Sequence, residues 1–304
     1  MGDINLQEVR KHGTKNFPCA FYLKENHKDG LLVKHHWHNE FELIHLKKGK
    51  FNIEVNMDKH CIEEECLCFI NSGELHYIKS KYPCFESAIV FDLKMLSFDM
   101  FDSIQGKLIQ PLLNGKLKFK TLIFKRESYG KEILYEYKKI VNAYASEGAL
   151  TQDIEGNHIQ NIALQIKVKA SILNILGILY ENNLLIREDG KNKDYRVDYV
   201  KKVISYIQEN YKEKIYIKDL AEQINMNEQY FCRFFKKMIG KTPMEYVNEY
   251  RIKKTKELLK ETDMKIVDIC LECGFNNIGN FIKVFKKNTS INPIKYRKLN
   301  KSNK

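Results

Sequence analysis

The stretch Asn227-Glu228-Gln229-Tyr230-Phe231-Cys232-Arg233-Phe234-Phe235-Lys236-Lys237 returns 50 residues later as Asn277-Ile278-Gly279-Asn280-Phe281-Ile282-Lys283-Val284-Phe285-Lys286-Lys287. Phe at i and i+4 falls on one face of a helix, and Asn is a preferred N-cap, so each copy reads as one amphipathic helix. The repeat extends outward. Asp219-Leu220-Ala221 recurs as Asp268-Ile269-Cys270, 49 residues on, and Thr242-Pro243-x-x-Tyr246 recurs as Asn292-Pro293-x-x-Tyr296, 50 residues on. The one-residue difference falls at Gly274-Phe275, where a turn absorbs it.

Each copy follows the helix-turn-helix plan. In the first, a short helix over Ile217–Gln223 leads through Asn225-Met226-Asn227 to a helix over Glu228–Met238, which buries Phe231, Phe234 and Phe235 and leaves Gln229, Cys232, Arg233 and Lys236 outside. In the second, Lys265–Cys273 ends at Gly274, a residue suited to the positive φ of a helix end. Asn277 or Asn276 then caps a helix reaching Lys287. Pro243–Lys260 reads as a connecting helix with Pro243 in its first turn. Two such units on one connecting helix suit consecutive major-groove segments, about 34 Å apart. The charge agrees: residues 196–304 hold 24 Lys and Arg against 13 Asp and Glu, a net of +11 out of +12 for the whole chain. A domain this cationic fits a polyanion partner, double-stranded DNA.

The front half reads differently. Phe51, Ile53, Val55 and Met57 alternate with polar residues, the period of a half-buried strand, and short apolar runs follow at Cys66–Ile70, Ser87–Phe91 and Phe119–Phe124. A small barrel or sandwich is expected. After Lys125 the period becomes helical, first over Ile133–Tyr144 and then over about Ile159–Ile186, wide enough in its apolar face to cover the barrel and meet a second copy. The polar run Glu188–Asp194 reads as a linker. The expected class is α+β, with an N-terminal domain over 1–187, a linker over 188–197 and an all-α domain over 198–304. No secretory leader is expected at Met1–Arg10, and Ile172–Leu185 reads as too short to span a bilayer. The eight cysteines show no framework spacing, as for reduced thiols in a cytoplasm, and Cys270-x-x-Cys273 reads as buried helix residues.

These motifs resemble the AraC/XylS family of bacterial regulators over about Val200–Lys298. The matching residues are Asp219-Leu220-Ala221, Tyr230-Phe231-x-Arg233-x-Phe235-Lys236-Lys237, Gly240-x-Thr242-Pro243-x-x-Tyr246, Arg251-Ile252, Leu258-Leu259, Gly274-Phe275, Asn280-Phe281-x-Lys283-x-Phe285-Lys286-Lys287 and Pro293-x-x-Tyr296-Arg297. The resemblance implies that the second helix of each unit reads the major groove, through Gln229, Cys232 and Arg233 in the first and Ile278, Gly279, Asn280, Ile282 and Lys283 in the second. Gln pairs bidentately with adenine and Arg with guanine, whereas Cys232, Ile278, Gly279 and Ile282 offer only apolar contact or close approach. Lys236, Lys237, Lys286 and Lys287 would neutralise phosphates. The resemblance further implies a homodimer on paired half-sites, activation through RNA polymerase, and a small, often sugar-like effector bound by the front domain.

One constellation in that domain has its own chemistry. His36-x-His38-x-x-x-Glu42, with His76 after Asn71-x-Gly73, resembles the two motifs of the cupin barrel, in which such residues converge on a metal. Strand alternation would put His36, His38, Glu40 and Glu42 on one face and Trp37, Phe41 and Leu43 on the other. The second motif departs from the cupin pattern, with Asn71 in place of proline and Glu65 in place of glycine. His36, His38, Glu42 and His76 are therefore expected to line an effector pocket, with Trp37 available to stack on a sugar. No cofactor is expected, and a divalent metal on those four residues is the alternative. No phosphate loop, nucleophile elbow or other catalytic set is present in the sequence, so no catalytic residue is assigned. The rival class is a metal-dependent cupin enzyme fused to a DNA-binding domain.

Overall fold

The computed structural model describes residues 6–8, 10–26, 30–80, 83–148, 158–188 and 195–301. The chain divides into two compact units, one over Leu6–Lys193 and the other containing Asp194–Lys304.

The first unit opens with β1 (Cys19–Asn26), β2 (Gly30–His36), β3 (Phe41–Lys48), β4 (Phe51–Val55), β5 (Asp58–Ile62), β6 (Cys66–Ile70), β7 (His76–Ser80) and β8 (Cys84–Phe91). A turn of π-helix over Gln105–Ile109 runs into α1 (Gln110–Leu113). After it come β9 (Leu117–Phe119), β10 (Leu122–Phe124), α2 (Ser128–Ser146), α3 (Ile162–Glu181) and β11 (Leu185–Arg187). Two antiparallel sheets result, β1-β8-β3-β6-β10 and β2-β7-β4-β5, with β9 and β11 paired apart. Their inner faces share one apolar cluster that includes Ile44, Leu46, Phe51, Ile53, Cys68, Ile78 and Ala88. The outer face of the five-stranded sheet, with Phe41, Leu43, Leu67, Phe69 and Ile89, packs into a second cluster with Tyr137 and Tyr144 of α2 and Ile172 and Leu176 of α3. β6 is buried on both faces, which is why its sequence is an unbroken apolar run. The fold is a cupin-like barrel covered by helices on one side.

Local corrections follow from turns. Met57 leaves the strand pattern: Asn56 and Met57 both have positive φ (49° and 80°) and form the two-residue turn between β4 and β5. The run Phe119–Phe124 is two strands with different partners. The second long helix stops at Glu181, because Asn183 turns with φ 54° and Leu185–Arg187 pairs with β9. At 20 residues, with an 18-residue window of mean hydropathy 1.6, α3 meets the length and composition of a membrane span, which its apolar run alone did not suggest. One face of it packs on α2.

The second unit is helical, with α4 (Tyr195–Asn210), α5 (Ile217–Glu222), α6 (Glu228–Ile239), α7 (Pro243–Glu261), α8 (Ile266–Glu272), α9 (Ile278–Thr289) and α10 (Pro293–Lys301). Helix α4 starts three residues before the expected Asp198; the linker residues 189–194 lie outside the described residues. The repeat is visible atom by atom. Asn227 Oδ1 accepts from Tyr230 N at 2.8 Å, and Asn277 Oδ1 accepts from Asn280 N at 2.9 Å. Phe231 and Phe235 lie 5.7 Å apart by ring centroids, and Phe281 and Phe285 5.9 Å. Phe235 meets Tyr246 edge-on at 5.9 Å, as Phe285 meets Tyr296 at 5.6 Å. Arg251 of α7 is buried and donates to the Tyr211 and Glu213 carbonyls (2.8 and 2.6 Å), which ties the segment after α4 to the connecting helix. Gly274, at φ 78°, passes so close to that segment that a Cβ would sit 2.3 Å from the Tyr211 oxygen. Cys270 and Cys273 are buried free thiols, and burial raises both pKa values.

The two copies differ at their C-caps. Helix α6 ends on Gly240 at φ 77°, but α9 ends on Ser290 at φ 63°, a left-handed conformation that strains a residue with a Cβ. Ser290→Gly is expected to stabilise the second unit by about 1 kcal/mol, read as a higher Tm in thermal denaturation.

Candidate DNA-reading surface and sensing cluster

On α6 and α9 the buried phenylalanines determine which residues face water. Gln229, Arg233, Lys236 and Lys237 are exposed, and Cys232 is half-buried. Ile278, Gly279, Asn280, Ile282, Lys283, Lys286 and Lys287 are all exposed as well. Ile278 and Ile282 are each 40% accessible, an unusual placement for isoleucine on a helix that has a core face available. Tyr230, 52% exposed in the first turn of α6, belongs with this set although it was not among the expected reading residues. The signal was in the repeat, since Tyr230 is the counterpart of Asn280. The Lys pairs lie in the last turns, where positive charge also suits the helix dipole.

The histidines do not share one strand. β2 ends at His36, the chain crosses between sheets through His38-Asn39-Glu40, and β3 begins at Phe41. The residues still converge, because His36 pairs with His76 across β2 and β7 while Glu42 enters from β3. His38 Nε2 lies 3.3 Å from Glu42 Oε2, and His76 Nε2 lies 3.1 Å from the same oxygen. Ring centroids of His36 and His76 are 4.2 Å apart, and His38 lies 5.2 Å from His76. Glu40, expected beside Glu42, is only half-buried and turns its carboxylate toward His38 Nδ1 at 3.8 Å. Trp37 is 4% exposed, and its backbone pairs with Gln7.

That pairing brings in residues no motif marked. The backbone amide of Glu8 donates to the Trp37 carbonyl (2.8 Å), which carries the Glu8 carboxylate to 3.3 Å from His36 Nε2 and 3.7 Å from His12 Nε2. His12 in turn contacts the Tyr22 hydroxyl through Nδ1 at 2.8 Å. Burial pushes the Glu42 carboxyl up, but the hydrogen bonds and charges of His38 and His76 outweigh it and hold the group well below the usual range. Glu8 is held at about 2 in the same way, its burial offset by His36. Burial and the nearby His36 push His76 down to about 4. Burial disfavours the charged form of His38 as well, but Glu42 more than compensates and raises it. Among the described residues, His36, His38 and His76 form the group able to hold a metal ion, their ligand atoms all within 4.8 Å of one another.

Glu86 adds a buried carboxylate to the same barrel. It pairs with Leu46 and lies two residues from Ala88, on the inward face of β8, with Oε2 lacking a hydrogen bond.

A cationic helix-turn-helix pair joined to a cupin-like sensing barrel defines a ligand-responsive DNA-binding regulator. The chain belongs to the AraC family of transcription regulators: residues 18–98 match the family described as AraC-like ligand binding domain, and residues 220–299 match a helix-turn-helix domain family. It is similar to the HTH-type transcriptional regulator YdeC of Bacillus subtilis (28% identity, 98% of each chain). It is also similar to the melibiose operon regulatory protein of Escherichia coli K12 (24% identity, 88% of this chain and 85% of that one). Among solved structures, ToxT of Vibrio cholerae O395 aligns over 94% of this chain and 98% of its own, at 14% identity and a TM-score of 0.37.

Burial raises the Glu86 pKa above its ordinary 4.5. Such a group supports folding in its neutral form below about that pH and loses the support as pH rises through its folded value. Glu86→Gln is therefore expected to stabilise the first unit at pH 7 by about 1–3 kcal/mol, with the gain fading toward pH 4, in melts across that range.

Proposed function

We propose that the protein is a cytoplasmic, homodimeric transcription activator, not a catalyst, whose two reading helices α6 and α9 enter consecutive major-groove segments of double-stranded DNA. The observation that carries this is the coincidence of two requirements on the same helices: every aromatic that builds the core faces in, and the polar and cationic residues are left outside. In this reading Gln229 and Arg233 recognise adenine and guanine edges. Asn280 and Lys283 do the same in the second unit, and Ile278 and Ile282 meet thymine methyl groups, with Gly279 allowing close approach. Lys236, Lys237, Lys286 and Lys287 bind phosphates.

The barrel receives a small polar effector at His36, His38, Glu42 and His76, with Trp37 at its edge. The relation to a melibiose operon regulator favours a hydroxyl-bearing, sugar-like molecule. Effector binding shifts the population of dimer states that fit paired half-sites, and the DNA-bound dimer recruits RNA polymerase. Dimerisation is assigned to α3. Its outer face carries Ile166, Ala170, Gly177 and Tyr180, with the half-buried Leu173 between them at its edge, at alternating steps of four and three, the spacing of a coiled-coil seam. Ile166 is 61% and Tyr180 55% exposed.

DNA affinity is expected to fall as salt rises, as phosphate neutralisation requires, and Arg233→Ala to cost about 1–3 kcal/mol on the operator at fixed salt. Binding indifferent to both would remove α6 from the DNA. Ile166→Lys is expected to weaken self-association at least about ten-fold in sedimentation equilibrium without lowering the Tm, because a charge at a buried seam opposes docking while the residue is exposed in the single chain.

A further inference from the structure

Tyr22 stands on the inward face of β1: its cross-strand partner is Ala88 of β8, and it packs against the inner apolar cluster. The N-terminal arm folds onto its ring. His12 Nδ1 lies 2.8 Å from the Tyr22 hydroxyl, and the Arg10 guanidinium sits over the ring, 4.9 Å from its centroid. Arg10 Nη2 is shut off from solvent and has no hydrogen-bond partner. The ring face attracts the charge but gives the N–H groups no lone pair. A guanidinium stays charged in proteins and offers only donors, so nothing but an acceptor satisfies it. Leaving such a group buried and unmatched is costly. The two carboxylates whose charge reaches Tyr22 do not serve Arg10: Glu8 is turned to His36 and His12, and Glu42 to His38 and His76.

Two further polar atoms around Tyr22 share the defect. His12 Nε2 and Glu86 Oε2 are buried without a hydrogen-bond partner. Glu86 stands two residues from Ala88 on the inward face of β8, diagonal to Tyr22 across the strand pair. A hydroxyl both donates and accepts, so it satisfies either atom in either protonation state. Arg10 needs something different. A carboxylate presents two oxygens that match the guanidinium fork, and one negative charge against one positive. A phosphate would bring up to a second negative charge to a site that already faces Glu8 and Glu42.

We propose that Arg10 is the specificity-determining residue of the effector site and that the effector is a hydroxy acid, its carboxylate on Arg10 and its hydroxyls toward His12 and Glu86. This rests on the reading of the barrel as the effector site, and it names the class of molecule taken there: a sugar acid, not a neutral sugar. The unmatched guanidinium is the origin of the discrimination. A neutral sugar makes the hydroxyl contacts alone and leaves Arg10 Nη2 without its anion. A site built around a buried polar group rejects the analogue that lacks the counter-group.

The test titrates the full chain in a calorimeter, at fixed ionic strength, with glucuronate, galacturonate and gluconate. Glucose, galactose and sorbitol, each with a hydroxymethyl group in place of the carboxylate, are titrated beside them. At least one acid is expected to bind, at least about ten-fold more tightly than its neutral counterpart. Arg10→Gln should weaken that acid roughly 10- to 100-fold, and Arg10→Lys, which keeps the charge but loses the fork, should fall between the two. Lys11→Gln, at the exposed cation next along the arm, should leave the affinity unchanged. Thermal melts separate a ligand contact from a merely structural Arg10. Without ligand, Arg10→Gln should melt no lower than wild type, because it loses an unmatched buried donor, and only wild type should gain Tm from the acid. Failure of all three acids to bind overturns the proposal. So does equal affinity for acid and neutral sugar, acid affinity indifferent to Arg10→Gln, or a lower ligand-free Tm in that variant. Neutral sugars bound without any acid sink the carboxylate and keep the effector site. Acid binding that leaves DNA affinity unchanged keeps the Arg10 site and sinks its reading as an effector site.

Discussion

Phenylalanine at i and i+4 is the constraint on which the DNA-binding unit depends. Burying Phe231 with Phe235, and Phe281 with Phe285, fixes the rotation of α6 and α9 about their own axes. Once that rotation is set, no freedom remains in which residues face water. The tyrosines that close the two aromatic sets, Tyr246 and Tyr296, each sit in a helix entered through a proline, so both second helices are held by the same device. Arg251 then ties α7 to the segment after α4 through two charged hydrogen bonds made away from water, where losing the partner is costly.

The barrel solves a different problem. Its apolar inner cluster holds two sheets face to face, and the polar residues gather where β2, β3 and β7 meet. The collected groups are imidazoles and carboxylates that hold one another's protonation away from their ordinary values, Glu42 and Glu8 downward and His38 upward. The arm joins at the same place through Glu8, whose carboxylate lies beside His36 and His12.

Legibility followed the range of the interaction. The helix-turn-helix pair could be read because periodicity, caps and the repeat are all local; Asn227 caps where the sequence placed it, and of the two candidates for the second cap it is Asn277. Errors clustered at turns, such as Met57 and Asn183, where a non-glycine residue takes a positive φ that composition does not announce. His36, His38, Glu42 and His76 were legible as a motif, but not the crossing between sheets that brings them together. Glu8, His12 and Glu86 had no spacing signal at all.

The sequence alone determined which face of each reading helix is buried and that charge gathers in one domain, because helical rotation depends only on residues within two turns. Tertiary structure alone decided that an arm carboxylate meets a histidine 28 positions away, and that three imidazoles share one acceptor-rich centre. Sheet pairing and chain crossing set those distances, and neither leaves a local trace in the order of residues.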